Sequence, residues 1–244
     1  KIYFQTSSKK EKVSSTSANA ALDAKMKELK EKGWSTVLLE SDSPLGSTVA
    51  LNVGVKNTSG EIIAMIHNDL LIKDQGWDKT LLDFYDNTPN VGLVGFAGAK
   101  QLGAPDIYKV PYVLTQLGRA YVYTSLEDHH VHGDQTTQPT HVLVLDGLTM
   151  CCRRSDFIRL GGFDESYIHH MYDNDLSLTF AYDELNNYVI PITCQHLNGQ
   201  TANFGEYNTW LREEKKKDGD AEIHRISHEI FYEKWRGKLP VRVQ

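Results

Sequence analysis

Cysteine is scarce in this chain of 244 residues, and what there is does not pair off. Cys151, Cys152 and Cys194 make an odd set, two of them adjacent in an apolar run. That excludes a disulfide framework, and the three read as reduced core thiols of a protein kept in a reducing, cytoplasmic compartment. Long apolar runs are missing too. None reaches the roughly 20 residues of a membrane helix, and nothing has the layout of a secretory leader. The opening Lys1-Ile-Tyr-Phe-Gln5, with Ile2 and Phe4 alternating, reads instead as a first strand. There is no basic excess: the formal net charge of -6 argues against a nucleic-acid backbone as partner and admits acidic ligands through an intervening cation. Phosphate-binding glycine loops are absent. No strand leads into Gly-x-Gly-x-x-Gly, Gly95-Phe-Ala-Gly98 has the wrong spacing, and there is no Gly-x-x-x-x-Gly-Lys, which argues against dinucleotide-dependent oxidoreductases and P-loop enzymes.

What is present is the composition of a globular protein, 40% apolar and 24% charged, in a chain long enough for a substantial α/β core. It is organised around Glu61-Ile-Ile-Ala-Met-Ile-His-Asn-Asp69. The unbroken apolar run from Ile62 to Ile66 predicts a central strand buried on both faces. His67, Asn68 and Asp69 follow at once, at the carboxyl edge where open α/β sheets bind ligands; the same tripeptide also fits a plain polar loop. Upstream, a helix over Ala20–Lys32 with Asn19 as N-cap, a strand over Ser35–Leu39 and a short helix over Ser47–Lys56 complete a β-α-β-α-β order. Such alternation points to parallel strands with crossover helices. Downstream come a helix from Trp77 to Tyr85, a strand from Val91 to Ala97 and an irregular stretch over 100–140 that holds Glu127-Asp-His-His-Val-His132. The pattern resumes with strands at His141–Leu145 and Leu148–Cys152, a helix at Tyr172–Leu185, a strand at Tyr188–Ile192 and two helices, Glu206–Lys217 and Ala221–Arg236. The histidine cluster reads better as a solvated or acceptor-facing loop than as a zinc site, since no strand or helix supports it.

Five segments in this order resemble those of a GT-A-fold glycosyltransferase of the family-2 type. They are Asn52-Val-Gly54, His67-Asn-Asp69 in the position of an Asp-x-Asp motif, Asp146-Gly-Leu-Thr-Met-Cys-Cys-Arg-Arg154, Leu160-Gly-Gly-Phe-Asp-Glu165, and Tyr172-Asp-Asn-Asp-Leu176 in the position of Glu-Asp-x-Asp-Leu. The resemblance runs from about Lys1 to His196, and the Lys234-Trp235 pair is similar to one found in some members. It implies a single GT-A domain over residues 1-244, a Rossmann-like, mostly parallel sheet flanked by helices. Residues 1-100 would form the nucleotide-binding half, 101-200 the acceptor-binding and catalytic half, and 201-244 a helical C-terminal extension.

The implied reaction moves a sugar from a nucleotide diphosphate donor, with UDP favoured, to a hydroxyl of a glycan or other acceptor, with inversion. Its leaving group gains charge as the bond breaks, and a divalent cation neutralises that charge. By resemblance Asp69 is the direct metal ligand, His196 the C-terminal histidine ligand and His67 a third candidate in place of the usual first acid. Such a mixed oxygen and imidazole shell suits Mn2+, or Mg2+. The general base that takes the acceptor proton is Asp173, with Tyr172 replacing the family's Glu before it. Asp173 also fits an N-cap, and Asp175 a first-turn charge on the helix dipole. Thr6, Ser7, Glu40, Asp42, Asn52 and Asn68 are the candidates for the nucleotide; Asp146, Gly147, Tyr172 and Asp175 are those for the sugar or acceptor. The His67 and Tyr172 departures leave two rivals open: a degenerate GT-A domain that binds without turnover, and a nucleotidyltransferase.

Overall fold

The computed structural model describes residues 2–8, 35–41, 45–67, 70–103, 121–123, 134–196, 205–239 and 241–243, with residues 27 and 31. Asp42, Asn68, Asp69, the His129–His132 cluster and nearly all of the expected Ala20–Lys32 helix lie outside them. In chain order the elements are β1 (Ile2–Ser8), β2 (Ser35–Ser41), α1 (Ser47–Lys56), β3 (Ile62–Ile66), β4 (Leu70–Ile72), α2 (Trp77–Asn87), β5 (Val91–Gly95), β6 (Ala97–Ala99) and β7 (Gln101–Leu102). Then follow β8 (Tyr121–Tyr123), β9 (Asp134–Gln135), β10 (Thr140–Val142), β11 (Val144–Leu145), β12 (Thr149–Arg153), α3 (Arg154–Arg159) and α4 (Tyr172–Tyr182). The chain continues through β13 (Asn186–Val189), β14 (Cys194–His196), α5 (Gly205–Glu213), α6 (Asp220–Trp235) and β15 (Val241–Arg242).

β1 and β2 pair in parallel from Ile2 opposite Ser35 to Ser8 opposite Ser41. Both strands outrun their expected ends, so Thr6, Ser7 and Glu40 belong to the ladder rather than to a loop beyond it. The main sheet has the order β10-β13-β5-β12-β3. β3, β5 and β13 share one direction, as the alternation predicts, but β12 lies antiparallel between β3 and β5. The sheet is therefore mixed rather than mostly parallel. The reason is continuity: β11 already runs antiparallel to β6, with Val144 opposite Ala99, and the chain passes from it through residues 146–148 without reversing, so β12 continues antiparallel along β5, with Cys151 opposite Val94. This insertion also moves β3 off the centre. β3 ends the order of the main sheet, and its burial alternates instead of being complete on both faces.

Two apolar layers cover the sheet. One gathers Phe157, Phe163, Leu176, Phe180, Phe231 and Trp235 from α3, α4, α6 and the turn between them. The other is built on Leu81 and Tyr85 of α2 with Val94, Phe96 and Ile190. Cys151 and Cys152, neighbours on β12, enter opposite layers, as strand alternation requires. All three cysteines are free and buried, consistent with their reading as core thiols. Among the described residues no helix is long and apolar enough to cross a membrane.

The paired arginines end β12 and open α3, and Arg153 donates to Glu61 Oε1 and to the Tyr85 carbonyl, both at 3.1 Å. Arg154 donates through Nε to the Gly60 carbonyl at 2.8 Å, through Nη1 to the Val55 carbonyl at 2.7 Å and through Nη2 to Thr58 Oγ1 at 2.6 Å. One guanidinium fork thus ties the C-terminus of α1 to the turn that launches β3.

Candidate active site

Four elements converge at the carboxyl end of β3. His67 leaves that strand with its N–H donated to the Leu148 carbonyl at 3.0 Å, which fixes the Asp146-Gly147 turn beside it. On the other side of the turn, the Asp146 N–H bonds to the Ala97 carbonyl at 2.9 Å. β14 pairs antiparallel with β4 so that His196 lies opposite Leu70, three residues after His67. The His67 and His196 rings come within 5.7 Å, centroid to centroid. This two-stranded link is made of three-residue strands, too short for any periodicity in the sequence.

α4 supplies the fourth part. His170 and Met171 both take left-handed backbone, φ 63° and 58°, a costly corner for non-glycine residues that swings the chain into the helix. Met171 is the N-cap residue, so Asp173 sits inside the first turn and is not the cap. Its Oδ2 accepts the Gly147 N–H at 3.0 Å, while Oδ1 accepts the Asn174 N–H at 2.8 Å and the Asn174 side-chain amide at 3.0 Å. Burial, and then the charge of nearby Asp146, push the Asp173 carboxyl up to about 6; the main-chain donors of Asn174 and Gly147 hold it from rising further. A carboxyl poised there can take a proton near neutral pH. Gly147 has no room for a side chain: a Cβ there would stand 2.5 Å from Tyr172 Oη and 3.0 Å from its Cζ.

Tyr172 is buried, its phenol held well above the ordinary range by burial and then by the charges of Asp173 and Asp146. Its Oη is hydrogen-bonded to His67 Nε2 at 3.2 Å. The two positions at which the sequence departs from the family pattern therefore touch each other. His67, Asp146, Gly147, Asp173 and His196 are each only partly buried, while Nε2 of His196 is itself covered.

Two candidates have other occupations in the fold, and their sequence-based assignments are corrected here. Asn52, on α1, donates its amide to the Phe163 carbonyl and to Glu165 Oε1, both at 2.9 Å, and accepts the Phe163 N–H at 3.0 Å. It clamps the Gly-Gly-Phe-Asp-Glu segment, leaving no polar atom of its amide for a nucleotide. Asp175 is 3% exposed and turned toward α6, where it accepts from Lys234 and Trp235, away from any sugar. Thr6, Ser7 and Glu40 are described as backbone within the β1–β2 ladder. Asp69, Asn68 and Asp42 lie outside the described residues.

Sequence reasoning overlooked His169. Its Nδ1 is hydrogen-bonded to Ser47 Oγ at 2.7 Å, and its ring lies 6.0 Å from that of Tyr172. Burial, then the neighbouring His170, hold it down at about 4. The adjacency of His169-His170 to Tyr172-Asp173 was the available signal. As to a metal, no group of three or more His, Cys, Asp or Glu side chains that could hold one occurs among the described residues. His67 and His196 supply two imidazoles side by side, and the acid that would join them, Asp69, is two positions beyond His67 in the chain.

This sheet, with its ligand edge built from a strand end, an Asp-Gly turn and an acidic helix start, defines a GT-A glycosyltransferase fold. Solved structures share it. A mannosyltransferase of Pyrobaculum calidifontis, PcManGT, in complex with GDP-Man and Mn2+, aligns over 94% of this chain and 59% of its own, with TM-score 0.51 and 15% identity. GalNAc-T7 with UDP, GalNAc and Mn2+ aligns over 98% of this chain and 50% of its own, with TM-score 0.52 and 12% identity. The chain thus spans between half and three-fifths of those two proteins. No curated protein matches it. A family model described as "Glycosyltransferase like family" matches residues 35–217, and the chain belongs to that family.

Proposed function

We propose that the protein transfers a sugar from a nucleotide diphosphate donor to an acceptor hydroxyl, in a metal-dependent reaction with inversion. One observation carries this reading: the Asp173 carboxylate, held at about 6 and aimed by the Gly147 N–H, lies on the same edge as the paired imidazoles of His67 and His196. The two imidazoles and the carboxylate of Asp69 fit Mn2+ or Mg2+ as a donor set. When bound, the cation supplies charge neutralisation to the departing diphosphate. Asp173 accepts the proton of the attacking hydroxyl, and its Gly147 and Asn174 donors keep one lone pair aimed outward while it does so. Asp146 spends Oδ1 on the Leu148 N–H at 3.1 Å. That favours a supporting role for it over a covalent nucleophile, and with a single base the expected course is direct displacement. Gly147 lets Tyr172 and the first turn of α4 close on the main chain of the Asp146-Gly147 turn, where a side chain would collide with the Tyr172 hydroxyl. Thr6, Ser7 and Glu40 remain the proposed nucleotide contacts, with UDP as the first candidate.

Thermal melting tests the donor half of this reading. Mn2+ with UDP or GDP at about a hundredfold over Kd should stabilise the fold by about 2–3 kcal/mol, which for a chain of this size raises the Tm by roughly 5–10 °C. No shift with either nucleotide, in Mn2+ or Mg2+, removes the donor site. A shift without transfer or donor hydrolysis assigns the fold to binding alone.

A further inference from the structure

The first turn of α4 is gripped from two sides, and only one grip belongs to the site itself. Residues two apart on a helix point about 200° away from each other. Asp173 accordingly faces the Asp146-Gly147 turn, and Asp175 faces the C-terminal helix α6. There Asp175 Oδ1 accepts the Trp235 indole N–H at 2.7 Å and the Tyr167 hydroxyl at 3.3 Å, while Oδ2 accepts Lys234 Nζ at 2.9 Å. Lys234 reaches on to Asp164 Oδ2 at 3.3 Å, tying the Gly-Gly-Phe-Asp-Glu segment into the same knot. The Asp175 N–H closes on the Met171 carbonyl at 2.9 Å, so the knot begins where the left-handed corner ends. A carboxylate 3% exposed is costly to bury unless it is paired and hydrogen-bonded, and here both oxygens are.

We infer that Asp175, Lys234 and Trp235 are positioning residues that fix the rotation and height of the first turn of α4, and through it the direction of the Asp173 carboxylate. The inference rests on the reading of Asp173 as the base. Without the outer grip, the turn is held at its inner side by the Gly147 N–H and by Ser177, whose Oγ donates to the Asp173 carbonyl at 2.6 Å and accepts the Leu145 N–H at 3.0 Å. A small rotation about those bonds would leave the helix formed and the base misaimed. Misplacement of a catalytic group by about 1 Å is enough to cost up to about a hundredfold in rate.

The test uses Trp235→Phe, which keeps the ring and removes the indole donor, Lys234→Met, which removes the charge and keeps the stem, and Lys234→Arg as the conservative control. Amide exchange is read at Gly147, which reports the bond to Asp173, and at Leu93, whose N–H is buried against Asn187 Oδ1 and reports opening of the core. Trp235→Phe and Lys234→Met should each speed exchange at Gly147 by about tenfold while Leu93 stays within about twofold, and Lys234→Arg should restore most of the protection. In the transfer assay kcat should fall about tenfold with the donor KM held, the mark of lost alignment rather than lost binding. Unchanged exchange at Gly147, or a rise shared equally by Gly147 and Leu93, overturns the inference. Because exchange is read without substrate, an inactive wild-type protein would count against the transferase reading while the positioning question was still answered.

Discussion

At the scale of single residues, the site turns on how a carboxylate is kept from ionising too early. Asp173 titrates near 6 in the fold against 3.8 for the ordinary side chain. The folded value is the higher one, so the fold is favoured while the group is protonated and loses stability as pH rises through that window. By neutral pH the cost is on the order of 3 kcal/mol. Asp173→Asn should therefore abolish transfer and yet raise the Tm at about pH 7.5, and wild-type transfer should fall as pH drops below about 6. A variant that still transfers at the wild-type rate would leave Asp173 a purely structural residue. Gly147 offers a second measurement. Its replacement by Ala drives a methyl against the Tyr172 hydroxyl, an overlap worth about 1–3 kcal/mol of stability in urea titrations. Adding Tyr172→Phe should recover part of that loss, since the hydroxyl is the nearest atom, and the double-mutant cycle then gives a favourable coupling. Tyr172→Phe alone also severs the link to His67 at 3.2 Å.

At the scale of elements, the decisive piece is the fork of Arg154 between α1 and the start of β3. Arg154→Lys keeps the charge and discards the planar donor set, leaving two carbonyls and a hydroxyl imperfectly met. It should lower stability by about 2–3 kcal/mol with an unchanged denaturant m-value, the signature of a local loss in an intact fold. The sequence made α1 legible to the residue, and α6 to within one, because amphipathic spacing and stop residues act over a few neighbours. β12 shows where that legibility ends. Its apolar run marks a strand, but its direction is set by β11, which it continues, and by the strands on either side, which no local pattern encodes. Asp175 is a parallel case among the site residues. It was legible as an acid in an acidic motif, whereas its partners stand 59 and 60 positions downstream. Gly147 and Asp173 were legible as residues; that they bond to each other, 26 positions apart, was not.

At the scale of the whole molecule, acid is the condition to which this fold should be most sensitive. His169 is held neutral, at about 4, chiefly by burial and then by His170, with Asp220 opposing. Here the folded value is the depressed one, so an unfolded chain takes up the proton first, and the stability present above about 6.5 is lost as pH falls toward about 4. Asp173 has the opposite sign in an overlapping window, which makes the comparison of variants more telling than the wild-type curve. His169→Asn, able to keep a bond to Ser47, should flatten the fall of Tm between about pH 6.5 and 4. An unaltered slope would mean that other groups carry the acid limb. The cysteines open a different use of the molecule. Burial pushes the Cys151 and Cys194 thiols up to about 12 and the Cys152 thiol well above its usual value, so almost no thiolate forms at working pH. A cysteine introduced at Leu71, a 57% exposed side chain on the strand paired with that of His196, would then be the one thiol a maleimide dye can reach. Donor capture could be followed by fluorescence in a chain whose native cysteines need no removal.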